Sequence, residues 1–90
     1  MFQALGLVET LGSANAILVV DKLVKTADVT YEAKNTKCGG HVTVFVSGDV
    51  AAVTEAIEAV EHNPPCEVLA TAVISNPSEE AERLLLLNKK

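Results

Sequence analysis

The order in which two hydrophobic periods alternate along this chain constrains its fold more than any other feature. Residues 4–10 (Ala-Leu-Gly-Leu-Val-Glu-Thr) have strand character and stop at Gly12. Ser13 is the expected N-cap of a helix reaching about residue 26, with Ile17, Val20 and Val24 sharing a face and Ala16 and Leu23 flanking it. Asp21 and Lys25 stand four apart on that helix in the favourable acid-first order. Residues 29–33 form a weaker, more polar strand, and residues 34–40 (Lys-Asn-Thr-Lys-Cys-Gly-Gly) read as a turn. Residues 41–47 are rich in β-branched side chains and give the clearest strand. Gly48 ends it, and Asp49 is placed to cap a second helix with Val53, Ile57 and Val60 inward and Glu55 and Glu58 outward. Asn63-Pro64-Pro65 stops that helix, because proline has no N–H to donate and restricts the residue before it. Residues 67–75 are a fourth strand, and Asn76-Pro77-Ser78-Glu79 resembles a capping box opening a short last helix that carries Leu84 to Leu87. The βαββαβ order predicts an α/β (α+β) fold of the ferredoxin-like kind, an antiparallel sheet covered by two helices.

Ninety residues make one domain, taken as residues 1–90, since two would each be too small for an independent core. Hydrophobic residues are 49% of the chain and charged residues 21%, which excludes disorder. So much apolar material in so small a domain implies that part of it is hidden in an oligomer interface. A net charge of −5 and an aromatic content of 3% argue against a nucleic-acid surface. The longest apolar runs, residues 16–20 and 84–87, are too short to span a bilayer, and the start lacks a basic, then apolar, export signal. The expected location is therefore cytoplasmic, with Cys38 and Cys66 as thiols. There is no G-x-S-x-G, Walker A loop or dinucleotide fingerprint, so no enzyme activity is expected. Glu55, Glu58 and Glu61 fall at helical spacing and read as a solvated face.

Three blocks carry a family resemblance: Ala4-Leu5-Gly6-Leu7-Val8-Glu9-Thr10-x-Gly12, Asp21-x-x-Val24-Lys25-x-Ala27-x-Val29, and Val42-Thr43-Val44-x-Val46-x-Gly48-Asp49-Val50-x-Ala52-Val53. With Val73-Ile74 and Pro77, they resemble the shell domain of bacterial microcompartments (BMC) over nearly the whole chain. The resemblance implies a flat homohexamer that tiles with other shell proteins around encapsulated enzymes. It also implies a metabolite pore on the six-fold axis, which here would be lined by Thr36, Lys37, Cys38, Gly39 and Gly40. Lys25 corresponds to the family's edge lysine, which packs against the neighbouring hexamer; residue chemistry alone reads it as a solvated partner of Asp21. Asn76 stands where the family usually has a second edge residue, an arginine, which removes one contact between hexamers. Glu9 and Thr10 have a structural role in the family.

Cys38 changes the chemistry of such a pore, because a residue near a six-fold axis occurs as a ring of six. Converging thiolates are soft ligands that select zinc, copper(I) or iron–sulfur clusters, and a cubane takes four of them. Gly39 and Gly40 permit close backbone approach, and Lys37 would offset cluster charge. The resemblance extends to a divergent branch, from glycyl-radical propanediol-type microcompartments, that holds an iron–sulfur cluster at the pore. It implies one [4Fe-4S] cluster per hexamer, bound through Cys38. His41, from its own chemistry, reads as a polar residue near the pore mouth and a donor behind the ligand. Two alternatives stay open: a metal-free, metabolite-conducting hexamer, and a small ferredoxin-like binding protein with a zinc site made from Cys38-x-x-His41 and His62-x-x-x-Cys66.

Overall fold

The computed structural model describes residues 3–78. The elements run β1 (Ala4–Leu11), α1 (Ser13–Thr26), β2 (Thr30–Thr36), β3 (His41–Gly48), α2 (Val50–His62) and β4 (Val68–Ser75). The four strands form one sheet in the order β2-β3-β1-β4 with every neighbouring pair antiparallel. This is the ferredoxin-like arrangement expected from the βαββαβ order. The expected last helix, with Leu84 to Leu87, lies outside the described residues.

Alternation along the strands divides the sheet into two unlike faces. Ala4, Val8, Val42, Val44 and Val46 point to the helices and join Ala16, Val19 and Leu23 of α1 and Val53, Ala56, Ile57 and Val60 of α2 in the main core. On the other face, Leu5, Ala33, Leu7 and Phe45 form a smaller cluster. At Gly6 α2 packs close against the sheet: a Cβ there would stand 3.0 Å from both Ile57 Cδ1 and Val53 Cγ1.

Both helices begin as local chemistry requires. Asp49 caps α2, its Oδ1 accepting from the Ala52 N–H at 2.7 Å. At α1 the cap is Gly12 rather than Ser13, with φ +83° and no side-chain bond. The buried face of α1 also differs from expectation. Ala16, Val19 and Leu23 turn inward, whereas Ile17 is 67% and Val24 41% exposed. The apolar residues of α1 occupy more of its circumference than the core can cover, so Ile17 and Val24 are left facing out. β2 is longer than its polar sequence suggested: Lys34, Asn35 and Thr36 pair with Val44, Thr43 and Val42 of the strongly strand-forming β3. Pairing with a good partner overrides weak local preference.

Candidate functional site

The longer β2 reduces the connection to β3 to four residues, Lys37, Cys38, Gly39 and Gly40. Thr36, expected in the loop, is the last residue of β2 and pairs with Val42. The loop closes on itself through the Lys37 N–H, which donates to His41 O at 2.7 Å. Between them, Cys38–Gly40 form a single 3-10 turn. Gly39 and Gly40 have φ of +82° and +80°, the left-handed region that glycine enters without strain. A Cβ at Gly40 would meet nothing within 4 Å, so that side of the tip is open. A second anchor holds the loop from outside: the Gly12 N–H donates to Gly40 O at 2.8 Å, tying the tip to the β1–α1 turn.

His41, the first residue of β3, faces the helix-free side. Its Nδ1 lies 2.8 Å from Glu9 Oε2, with both side chains partly exposed. Lys37 and Glu9 also line a cleft of about 250 Å³ on this face, together with Leu7, Asn35, Thr43 and Phe45. The sequence reading gave Glu9 only a structural role and missed this pairing. The β1–β3 register, which sets Leu11 opposite His41 and Glu9 opposite Thr43, is the signal that reveals it.

Cys66 belongs to the opposite face. It packs against the main core, and its Sγ lies 3.7 Å from both Thr10 Oγ1 and Asn15 O. Thr10 is fully buried, and its hydroxyl donates to Glu67 O at 2.6 Å. The sheet therefore separates Cys66 from His41, although the two loops share one end of the molecule. The proposed Cys/His zinc quartet does not assemble within one chain. Among the described residues, no group of three or more His, Cys, Asp or Glu side chains is placed to hold a metal ion.

The edge residues lie at the other end. α1 runs back along the sheet, so Lys25 in its last turn sits near the start of β1, where Ala4 pairs with Gly48 and Ser75. Lys25 Nζ is 3.1 Å from Asp21 Oδ2, in a largely exposed i,i+4 pair. Asn76 follows β4 at this end; its N–H donates to Gln3 O at 2.8 Å and its φ is +51°. The loop and the Lys25/Asn76 end are thus separated by the length of the strands, in a molecule 30 Å along its longest axis.

Among the described residues, two apolar surfaces are exposed, on opposite edges of the sheet. Beside β2, Ile17, Val20, Val24, Tyr31 and Lys34 line a groove of about 400 Å³. Along β4, Leu69, Val73 and Ile74 are exposed. Among the described residues, no helix is long and apolar enough to cross a membrane.

Comparison with known proteins gives this geometry its context. The BMC domain matches residues 4–77. The carboxysome shell protein CsoS1B of Hydrogenovibrio crunogenus is 36% identical over 92 residues, covering 97% of this chain and 93% of that protein. The bacterial microcompartment shell protein PduA of Citrobacter freundii is 42% identical over 86 residues, covering 92% and 91%. Among solved structures, a microcompartments protein from Desulfitobacterium hafniense superposes with a TM-score of 0.79 at 26% identity. That match takes in all of this chain, which spans half the length of the other. A family match across nearly the whole domain, relatives of similar length and the same arrangement of strands and helices agree: the chain belongs to the BMC domain family of bacterial microcompartment shell proteins.

Proposed function

We propose that this chain builds the shell of a bacterial microcompartment as a homohexamer, lines its central pore with Lys37, Cys38, Gly39 and Gly40, and holds there an iron–sulfur cluster through Cys38. The observation that carries the ring is the pair of unlike apolar surfaces on opposite sheet edges. Contact between the α1–β2 groove of one copy and the β4 edge of the next is head-to-tail, and such contacts close into rings when their rotation permits. Placing the four-residue loop at the centre puts Lys25 and Asn76 at the rim, where a neighbouring hexamer or another shell protein would meet them. The role is structural rather than enzymatic.

The loop fits a cluster in three respects. Cys38 supplies one soft ligand per copy. Gly39 and Gly40 adopt conformations that a side chain would disfavour, and the tip beyond Gly40 is open. The Gly12 and His41 backbone bonds hold the loop backbone at both ends. When bound, a [4Fe-4S] cluster supplies one-electron transfer across the shell, or is itself cargo delivered to an enclosed enzyme. Four ligands from six equivalent cysteines make the site asymmetric, one cluster per hexamer. Membership of the iron–sulfur branch of glycyl-radical propanediol-type microcompartments is part of this proposal.

Anaerobic purification tests it. The expected product is a brown hexamer by native mass measurement, bleached by dithionite, with about four irons per hexamer and no colour in Cys38→Ser. A colourless hexamer would leave the shell role and remove the cluster; a monomer would remove the pore with it.

A further inference from the structure

We propose that the helix-free face of the sheet is the seat of this chain's own last segment, residues 79–90, held there by an ion pair between Arg83 and Glu32. The inference is independent of the ring and of the cluster. Its basis is the uneven burial of that face. The two helices α1 and α2 pack on the other side, yet Leu5 and Ala33 are only 3%, Ser47 6% and Glu32 9% exposed. A bare face of an antiparallel sheet is instead polar and solvated. All four residues lie toward the end where Ala4 pairs with Gly48 and Ser75. Toward the loop the face opens: Glu9 and Thr43 are partly exposed, Ala70 and Ala72 are exposed, and the 250 Å³ cleft lies among them. A cover of limited length, entering from the first end, accounts for that gradient.

The chain leaves the sheet at that same end. β4 finishes at Ser75, Asn76 turns with φ +51° while its N–H is held by Gln3 O, and Pro77 is buried. Twelve residues follow Ser78. As the helix expected from their sequence they would span about 18 Å, against about 26 Å for an eight-residue strand. They would cover the first part of the face and leave the loop end open. Met1 and Phe2 start from the same end but are too few to cover four side chains. Charge complementarity points the same way. Glu32 stands where the β2–β3 register shifts between Tyr31 and Ala33, and Ser47 Oγ donates to its Oε2 at 2.6 Å. A buried carboxylate is stable when it is also paired with a cation. Arg83 is the chain's only arginine, and a guanidinium can meet a carboxylate with two parallel N–H groups. Leu84 and Leu87 stand three apart and Arg83 four before Leu87, so on a helix they share a side. That side offers leucines to the cluster of Leu5, Leu7, Ala33 and Phe45 and a cation to Glu32.

Fluorine NMR of the full chain labelled with 4-fluorophenylalanine tests the cover. The chain has two phenylalanines, so Phe2→Leu leaves the Phe45 signal alone. Replacing Leu84 and Leu87 together by lysine should move that signal and enlarge its shift between H₂O and D₂O, and truncation after Ser78 should do the same. The leucine variant keeps the full length and decides the matter if the truncated chain does not fold. Urea unfolding tests the ion pair. Arg83→Leu and Glu32→Gln should each destabilise the protein, and the double variant should lose less than the sum of the two. A Phe45 signal unmoved by the leucine changes would overturn the segment as the cover, and strict additivity would overturn the Arg83–Glu32 pair. A signal that moves on dilution but not with the leucine changes would give the face to a second copy, and overturn the proposal as well.

Discussion

Thr10 ties β1 to the segment that leads into β4 from inside the core. Its hydroxyl is fully buried and satisfies the carbonyl of Glu67 just before β4 begins. Thr10→Val keeps the shape but leaves that carbonyl without its partner, which costs about 1–3 kcal/mol. Urea unfolding should register the loss. The residue scale is also where the sequence was least legible. Glu9 and His41 are 32 positions apart, and neither type of residue announces the other. Only the register of β1 against β3 brings them together, and a slip of one position would put them on opposite faces. Cys66 was legible as a thiol, but not its side of the sheet, because a ligand-like spacing carries no information about which face a loop residue enters.

At the scale of the elements, residues with one strong local preference were read correctly. Asp49 was readable as a cap because its short acceptor side chain directly precedes a periodic apolar run, and the structure shows that bond. Asp49→Ala should cost about 1 kcal/mol in the same unfolding measurement. Val53, Ile57 and Val60 were readable as a buried stripe for the same reason of period. α1 was harder. It carries apolar residues on more than one face, so periodicity alone could not separate the face that meets the sheet from the one that faces outward. Leu23→Ala should therefore destabilise the domain by about 2–5 kcal/mol, being completely buried in the main core. The extent of β2 was misread because Lys34, Asn35 and Thr36 have turn-like chemistry, and their strand conformation is supplied by β3.

At the scale of the whole molecule, the excess of apolar residues was itself the legible signal. It foretold an oligomer interface, and the structure leaves apolar side chains exposed on two separated edges, where the proposed interface would form. Ile17→Asp puts a charge into one of those contacts while sparing the core. For the proposed ring, native mass measurement should then find single copies in place of six, with an unchanged circular dichroism spectrum. A hexamer surviving this substitution would mean that the outward face of α1 does not form the seam. The family was legible because its blocks fall on β1, α1 and β3, the elements that carry most of the core.

The amide bridge from Gly12 to Gly40 extends the contact between β1 and β3, where Leu11 pairs with His41, from the strands to the tip of the loop and the start of α1. The tip of the loop cannot shift without either giving up that bridge or pulling on the first turn of α1. Ile17 sits one turn further along the same helix. In the proposed ring, whatever occupies the channel mouth would thus be mechanically linked to the joint between adjoining protomers, and filling or emptying one opening would be transmitted around its rim.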